Sequence, residues 1–214
     1  MTNSFSPYIV VPMKDPSTSK SRLKVNMDQE FCEKIATLMF ERTVQLLRQN
    51  FPQIPLLVVT ESTPIARYSV NTGCIVLCEA SPPGLNISAW SAAQWGQHHK
   101  FDSQILIHAD LPLLSQQEIE KTIAGVSKHE KSIAICKSWS GGTSILATRQ
   151  PDVINFRFGS GSYVRHLEAA QVQGVPVTEL GFLGASMDLD TDVDLAEILN
   201  QGESSEAFSQ ALSC

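Results

Sequence analysis

The sequence predicts an α/β fold, with a mostly parallel, twisted sheet and helices on both faces. Three observations carry this. Short β-forming runs, Tyr8 to Pro12, Ile54 to Thr60, Cys74 to Cys78 and Ile105 to Ala109, alternate with stretches of helical character. The run Gln104-Ile105-Leu106-Ile107-His108-Ala109-Asp110-Leu111-Pro112 stops at an acid and is closed by proline. A second acidic stretch, Met187-Asp188-Leu189-Asp190-Thr191-Asp192-Val193-Asp194-Leu195, alternates carboxylates with apolar side chains as a half-buried strand end would. Ligands of open α/β sheets collect outside the carboxyl ends of the strands, so two such clusters together point to one Mg²⁺ site facing a phosphate. Taken singly, Asp110 is a turn residue, and Asp192 and Asp194 begin a helix.

The first strand runs into a loop that supplies Lys14, Lys20 and Arg22 among several hydroxyls. It has neither the Walker pattern nor Gly-x-Gly-x-x-Gly, which disfavours P-loop and dinucleotide-binding enzymes. Its composition suits a triphosphate held by charge-assisted bonds, and equally a solvated basic loop. Asp28 is positioned to cap a helix reaching about Gln49, with Phe31, Ile35, Leu38, Leu46 and Leu47 as its apolar stripe. Cys74 and Cys78 share one strand face and are expected to be buried structural thiols. Pro82-Pro83-Gly84-Leu85-Asn86 is a turn before a helix, where glycine would let backbone approach a flat ligand and Asn86 offers a donor and an acceptor to a base.

Ser115-Gln116-Gln117-Glu118 is a capping box ahead of Ile119 and Ile123, which puts Asp110 in a strand-to-helix loop. Ser132 to Cys136 and Thr143 to Thr148 form strands joined through Ser140-Gly141-Gly142, too short a link for a crossover helix, so a small antiparallel insertion is expected. Gly141-Gly142-Thr143-Ser144 and Phe156-Arg157-Phe158-Gly159-Ser160-Gly161-Ser162 suit either an anion site of backbone amides or ordinary turns. Ser162 is expected to cap a helix to about Gln173, and Asp192 one from Val193 to Leu199. One domain over residues 1–200 and a tail over 201–214, frayed or partly ordered, complete the reading.

A net charge of -6 and a pI near 5.3 argue against a nucleic-acid or anionic-membrane partner. Cys32, Cys74, Cys78, Cys136 and Cys214 include no Cys-x-x-Cys pair, and the N-terminus carries no leader pattern, so the expected location is cytoplasmic. No apolar run approaches the roughly 18 residues of a membrane span. His98, His99, His129 and His166 show no metal-ligand spacing, and His108 favours a structural role over a ligand or base.

Taken in order, Val11-Pro12-Met13-Lys14 with Lys20-Ser21-Arg22-Leu23, Gly84-Leu85-Asn86, Ala109-Asp110-Leu111-Pro112-Leu113-Leu114, Gly141-Gly142-Thr143, Phe156 to Ser162 and Asp188-Leu189-Asp190-Thr191 resemble the 2-phospho-L-lactate guanylyltransferase family (CofC/FbiD) over nearly the whole chain. The resemblance implies a Rossmann-like nucleotidyltransferase fold of the molybdopterin-guanylyltransferase type. It also implies transfer of GMP from GTP to a phosphorylated three-carbon acid, with pyrophosphate leaving, in coenzyme F-420 biosynthesis. The acids in question are 2-phospho-L-lactate, phosphoenolpyruvate and 3-phospho-D-glycerate.

Carried over by motif, Asp110 and Asp190 hold Mg²⁺, with Asp188 a further metal candidate, and Lys14, Lys20 and Arg22 face the triphosphate as catalytic cations. Pro12, Gly84, Leu85 and Asn86 bind the nucleotide with Asp110, while Thr143, Gly159 and Ser162 hold the acid. Ser144, the Trp139-Ser140 pair, His108 and Asp192-Val193 depart from the family pattern, mostly around the acid. GTP and the acid are the implied partners, and fold analogy suggests a homodimer. The rivals are a nucleotidyltransferase acting on a sugar phosphate or molybdenum cofactor precursor, whose usual Leu-Ala-Gly-Gly loop is absent, and a non-catalytic GTP-binding regulatory protein.

Overall fold

The computed structural model describes residues 5–19, 27–81 and 84–201. β1 (Pro7–Pro12), β2 (Leu56–Thr60), β3 (Ile75–Cys78) and β4 (Ser103–Ile107) pair in parallel, with β1 between β2 and β4 and β3 at the edge. The chain crosses between them through α1 (Gln29–Asn50), α2 (Thr63–Asn71) and α3 (Leu85–His98). Beyond α4 (Gln116–Val126), β5 (Ser132–Lys137) and β6 (Thr143–Arg149) form a hairpin, and α5 (Ser162–Val172) leads to β7 (Val177–Leu180). The seven-stranded sheet has the order β3-β2-β1-β4-β6-β5-β7.

The antiparallel insertion is therefore integral to the sheet. β6 lies between β4 and β5 and runs against both, while β5 pairs in parallel with β7. Alternation along the strands covers both faces. Ile9, Val11, Val58, Ile105 and Ile107 pack with Phe40, Val44 and Leu47 of α1 and Ile119 of α4. Tyr8, Val10, Leu57, Val59 and Leu106 pack with Ala89 and Ala92 of α3 and Ala170 of α5. Gly96 is what lets α3 lie flat on β1, because a Cβ there would fall 2.3 Å from the Tyr8 ring.

Local signals explain most element boundaries. Asp28 caps α1 by accepting the Phe31 N–H, and the Ser115 capping box opens α4. Four details differ from the sequence reading. Ser162 is the first residue of α5, not its cap; Gly161 caps in the left-handed region at φ 67° and leaves the Ser162 hydroxyl to bond elsewhere. The last helix, α6 (Asp192–Leu199), is capped by Thr191, whose side chain forms a capping box with Asp194. The stretch before it is not a strand, although Met187 and Leu189 are buried beside half-buried Asp188 and Asp190. Cys74 is buried but Cys78 is exposed, because β3 is an edge strand. The tail expected after Gln201 lies outside the described residues.

Candidate active site

At the carboxyl edge, where the chain winds one way from β1 and returns to β4 on its other side, the structure holds a cavity of about 370 Å³. Its walls come from the ends of four parallel strands. β1 contributes Pro12, Met13 and Lys14; β2, Val59 and Glu61; the turn after β3, Glu79 with Gly84, Leu85 and Ser88 following; and β4, His108, Ala109 and Asp110. Asp190 and Ser19 complete the lining with Ala36 and Met39 of α1.

The loop that carries Lys14 is pinned by its neighbours. Asp15 accepts from the Ser17 N–H at 3.0 Å, capping a short 3₁₀ turn over Pro16–Thr18, and from the Ser62 hydroxyl at 2.6 Å. The Ser17 hydroxyl, at 2.6 Å, and then the Ser62 hydroxyl hold its carboxyl below the usual carboxylate range. Its own N–H donates to Glu61 Oε1 at 3.0 Å. Glu79 accepts from the Ser88 hydroxyl at 3.0 Å, and burial, together with the charge of Glu61, pushes its pKa up.

The two acid segments are joined through backbone. The Leu189 N–H donates to the Asp110 carbonyl at 3.1 Å. Glu118, buried at the start of α4, accepts from the Ser115 N–H at 2.9 Å and the Ala185 N–H at 3.1 Å. Gly184 sits against the Leu113 carbonyl, where a Cβ would fall 2.2 Å away. The chain is thereby folded back so that Asp110 and Asp190 face one cavity. Asp188 stands behind them, accepting from the Ser140 hydroxyl at 3.2 Å; burial and repulsion from Asp110 and Asp190 raise its pKa to about 6.

Among the described residues no group of three or more His, Cys, Asp or Glu side chains is arranged to hold a metal by itself. Mg²⁺ at a nucleotide is held by one or two carboxylates plus phosphate oxygens and water. Asp110 and Asp190, facing one cavity and close enough to Asp188 to perturb it, fit that kind of donor set.

The residues assigned by resemblance to the acid lie across β4, where Thr143, Ser162 and His166 are all buried. Thr143 Oγ1 is 3.0 Å from His166 Nδ1 and accepts from the Ser162 hydroxyl at 3.1 Å. The Arg157 N–H donates to His166 Nε2 at 2.9 Å, so Nε2 is unprotonated and Nδ1 carries the hydrogen. Burial, then the charges of Arg165, His108 and Arg157, lower the His166 pKa to about 4 and keep the ring neutral. Gly159, at φ 116°, is exposed on the same loop. None of Thr143, Gly159 and Ser162 lines the cavity.

Pro12, Lys14, Gly84, Leu85, Asp110 and Asp190 are thus brought together, whereas Lys20 and Arg22 lie outside the described residues. Asn86 does not face the cavity. Its Oδ1 accepts from the Phe158 N–H at 2.6 Å and its amide donates to the Phe158 carbonyl at 3.3 Å, which locks α3 to the loop before α5. His108 is in the cavity wall, with Nδ1 3.9 Å from the Asp110 carboxylate and its ring 5.6 Å from that of Phe158. Sequence reasoning missed Glu61 and Glu79, for which a carboxylate at each of two successive strand ends was the one local signal, and the bonding role of His166, for which there was none.

Residues 7–211 match the family model described as "Guanylyl transferase CofC like". The chain is 34% identical over 187 residues to a 3-phospho-D-glycerate guanylyltransferase of Colwellia psychrerythraea, covering 87% of this chain and 88% of the relative. It is 28% identical to a phosphoenolpyruvate guanylyltransferase of Sphaerobacter thermophilus, covering 88% of this chain and 90% of the relative. Among solved structures, a nucleotidyl transferase from Methanothermobacter thermautotrophicus has a TM-score of 0.64 at 14% identity, covering 91% of this chain and 96% of that one, a likeness of fold.

Proposed function

The chain belongs to the CofC-like guanylyl transferase family, and from that premise we propose that it transfers GMP from GTP to the phosphate of a phosphorylated three-carbon acid. The observation that carries the reading is one cavity at the sheet's carboxyl edge with Lys14 on one wall and Asp110 and Asp190 on another. Nucleotidyl transfer requires such an arrangement, since two polyanions must be brought together and charge on the departing pyrophosphate stabilised.

In this reading Lys14, with Lys20 and Arg22, binds the triphosphate, and Asp110 and Asp190 hold Mg²⁺. Bound there, the cation supplies charge neutralisation for the reacting phosphates. An oxygen of the acid's phosphate attacks the α-phosphorus, the bond to the bridging oxygen breaks, and pyrophosphate leaves in line. The phosphate monoester is already anionic near neutral pH, so no protein base is called on. The acid binds on the side of Thr143, Gly159 and Ser162, and a cytoplasmic site of action in coenzyme F-420 biosynthesis belongs to the same proposal.

The test is pyrophosphate release with Mg²⁺ and GTP, using 2-phospho-L-lactate, phosphoenolpyruvate and 3-phospho-D-glycerate separately, with product masses read and ATP and CTP as controls. A GTP-dependent signal with a product of mass acid plus GMP is expected for at least one acid. Silence with all three acids, despite measurable GTP binding, would sink the reading.

A further inference from the structure

We propose that Glu79 is the residue that selects guanine, its carboxylate accepting from the base's N1–H and exocyclic amine. The proposal rests on the guanylyltransferase reading and names the group that sets its nucleotide preference. The sheet order β3-β2-β1-β4 ranks the cavity's charged groups from side to side as Glu79, Glu61, Lys14 and Asp110. The end strands are three spacings apart, roughly 14 Å, on the order of an extended nucleotide.

A triphosphate belongs at the end with Lys14 and the Asp110–Asp190 pair. The other end carries two carboxylates, which repel phosphate and, when ionised, accept hydrogen bonds only. What binds there must present donors. Guanine offers two adjacent donors along one edge, whereas adenine and cytosine each offer one donor beside an acceptor ring nitrogen, which a carboxylate repels.

Of the two acids, Glu61 is engaged through Oε1 with the Asp15 N–H. Glu79, like Glu61, keeps one carboxylate oxygen without a donor among the described residues, but it follows the edge strand at the end farthest from Lys14 and is steadied through Oε2 by Ser88, in the first turn of α3. Met13 and Leu85 offer apolar walls to a flat ring in the same cavity. Asn86, the residue whose amide suits a base, is withdrawn to the Phe158 backbone.

The test compares GTP, ITP and ATP in competition against a fluorescent GTP analogue, in the wild type and in Glu79→Gln. ITP lacks the exocyclic amine, so the wild type should favour GTP over ITP, and GTP over ATP by a wider margin. Glu79→Gln should weaken GTP roughly 10- to 100-fold, because a carboxylate accepting two bonds is replaced by an amide presenting a donor. ITP should weaken less and ATP should tighten, so both ratios fall toward one. Ser88→Ala, which only loosens Glu79, should move the ratios in the same direction by less, and thermal melts of both variants verify folding. Unchanged GTP/ITP and GTP/ATP ratios in folded Glu79→Gln, or an equal loss for all three nucleotides, would overturn the proposal and leave the guanylyltransferase reading standing. A wild type with no preference for GTP would overturn both.

Discussion

From β3 to β4 the carboxyl edge of the sheet opens into a cavity toward which Lys14, Glu61, Glu79, Asp110 and Asp190 all project. Beyond β4 the same edge is closed, because Thr143, Ser162 and His166 bond to one another and to the Arg157 backbone. The open half gathers Glu61, Glu79, Asp110 and Asp190 around one cavity with Lys14, and burial with like-charge repulsion raises the pKa of Glu79 and of nearby Asp188. In the closed half Thr143, Ser162, His166 and the Arg157 N–H satisfy one another. Substitutions in the first should therefore act on turnover with the nucleotide, and those in the second on folding and, through Thr143 and Ser162, on the acid.

The largest expected effect tests the open half. Asp110→Asn should lower kcat by about 10²- to 10³-fold or more, in a variant whose thermal melt verifies folding. Near-normal turnover in the folded variant would take Asp110 out of the mechanism. In the closed half, His166→Ala strands the Arg157 N–H and opens a cavity, and should cost about 3 kcal/mol in urea unfolding. GTP affinity should stay close to wild type; a large loss would mean that the two halves are not separable.

The closed half should also be the acid-sensitive one. His166 has a pKa near 4 when folded against 6.5 as its ordinary value. Between those values the unfolded chain binds the extra proton, so stability is full above about pH 6.5 and is lost as pH falls. The loss is about 2 kcal/mol by pH 5. His166→Gln should remove this component from the difference in unfolding free energy between pH 7 and pH 5, and an identical difference in the variant would exclude His166 as its source. Smallest is Ser115→Ala, which deletes one arm of the α4 capping box and should cost about 1 kcal/mol in urea unfolding. Glu118 would still hold the Ala185 N–H, so turnover should barely change.

The alternation of strands and helices, the α4 cap and the loop position of Asp110 were legible because each depends on residues a few positions apart. The hairpin of β5 and β6 was legible for the same reason. Its insertion beside β4 was not, since strand order depends on which faces can be covered and not on the length of the link. Asn86 suits a base equally well in isolation, and only a partner 72 residues away shows where its amide goes. Glu79 follows an edge strand and resembles any solvated acid until the sheet order sets it beside Glu61 and Lys14. The pairing of Asp110 with Asp190 was visible from composition and topology, but the Leu189 to Asp110 backbone bond that enforces it carries no sequence signature.

Met187, Leu189, Leu195 and Ile198 pack with Cys32, Ile35 and Met39 of α1 in a cluster separate from the two that cover the sheet. This cluster, the Leu189 to Asp110 backbone bond and the Asp194 carboxylate that accepts the Asp190 N–H help to keep Asp190 at the cavity. Local opening of so small a cluster costs less free energy than melting the sheet, so on heating this segment is expected to act as a fuse, with turnover falling before the circular dichroism of the strands; coincident loss of the two would exclude it.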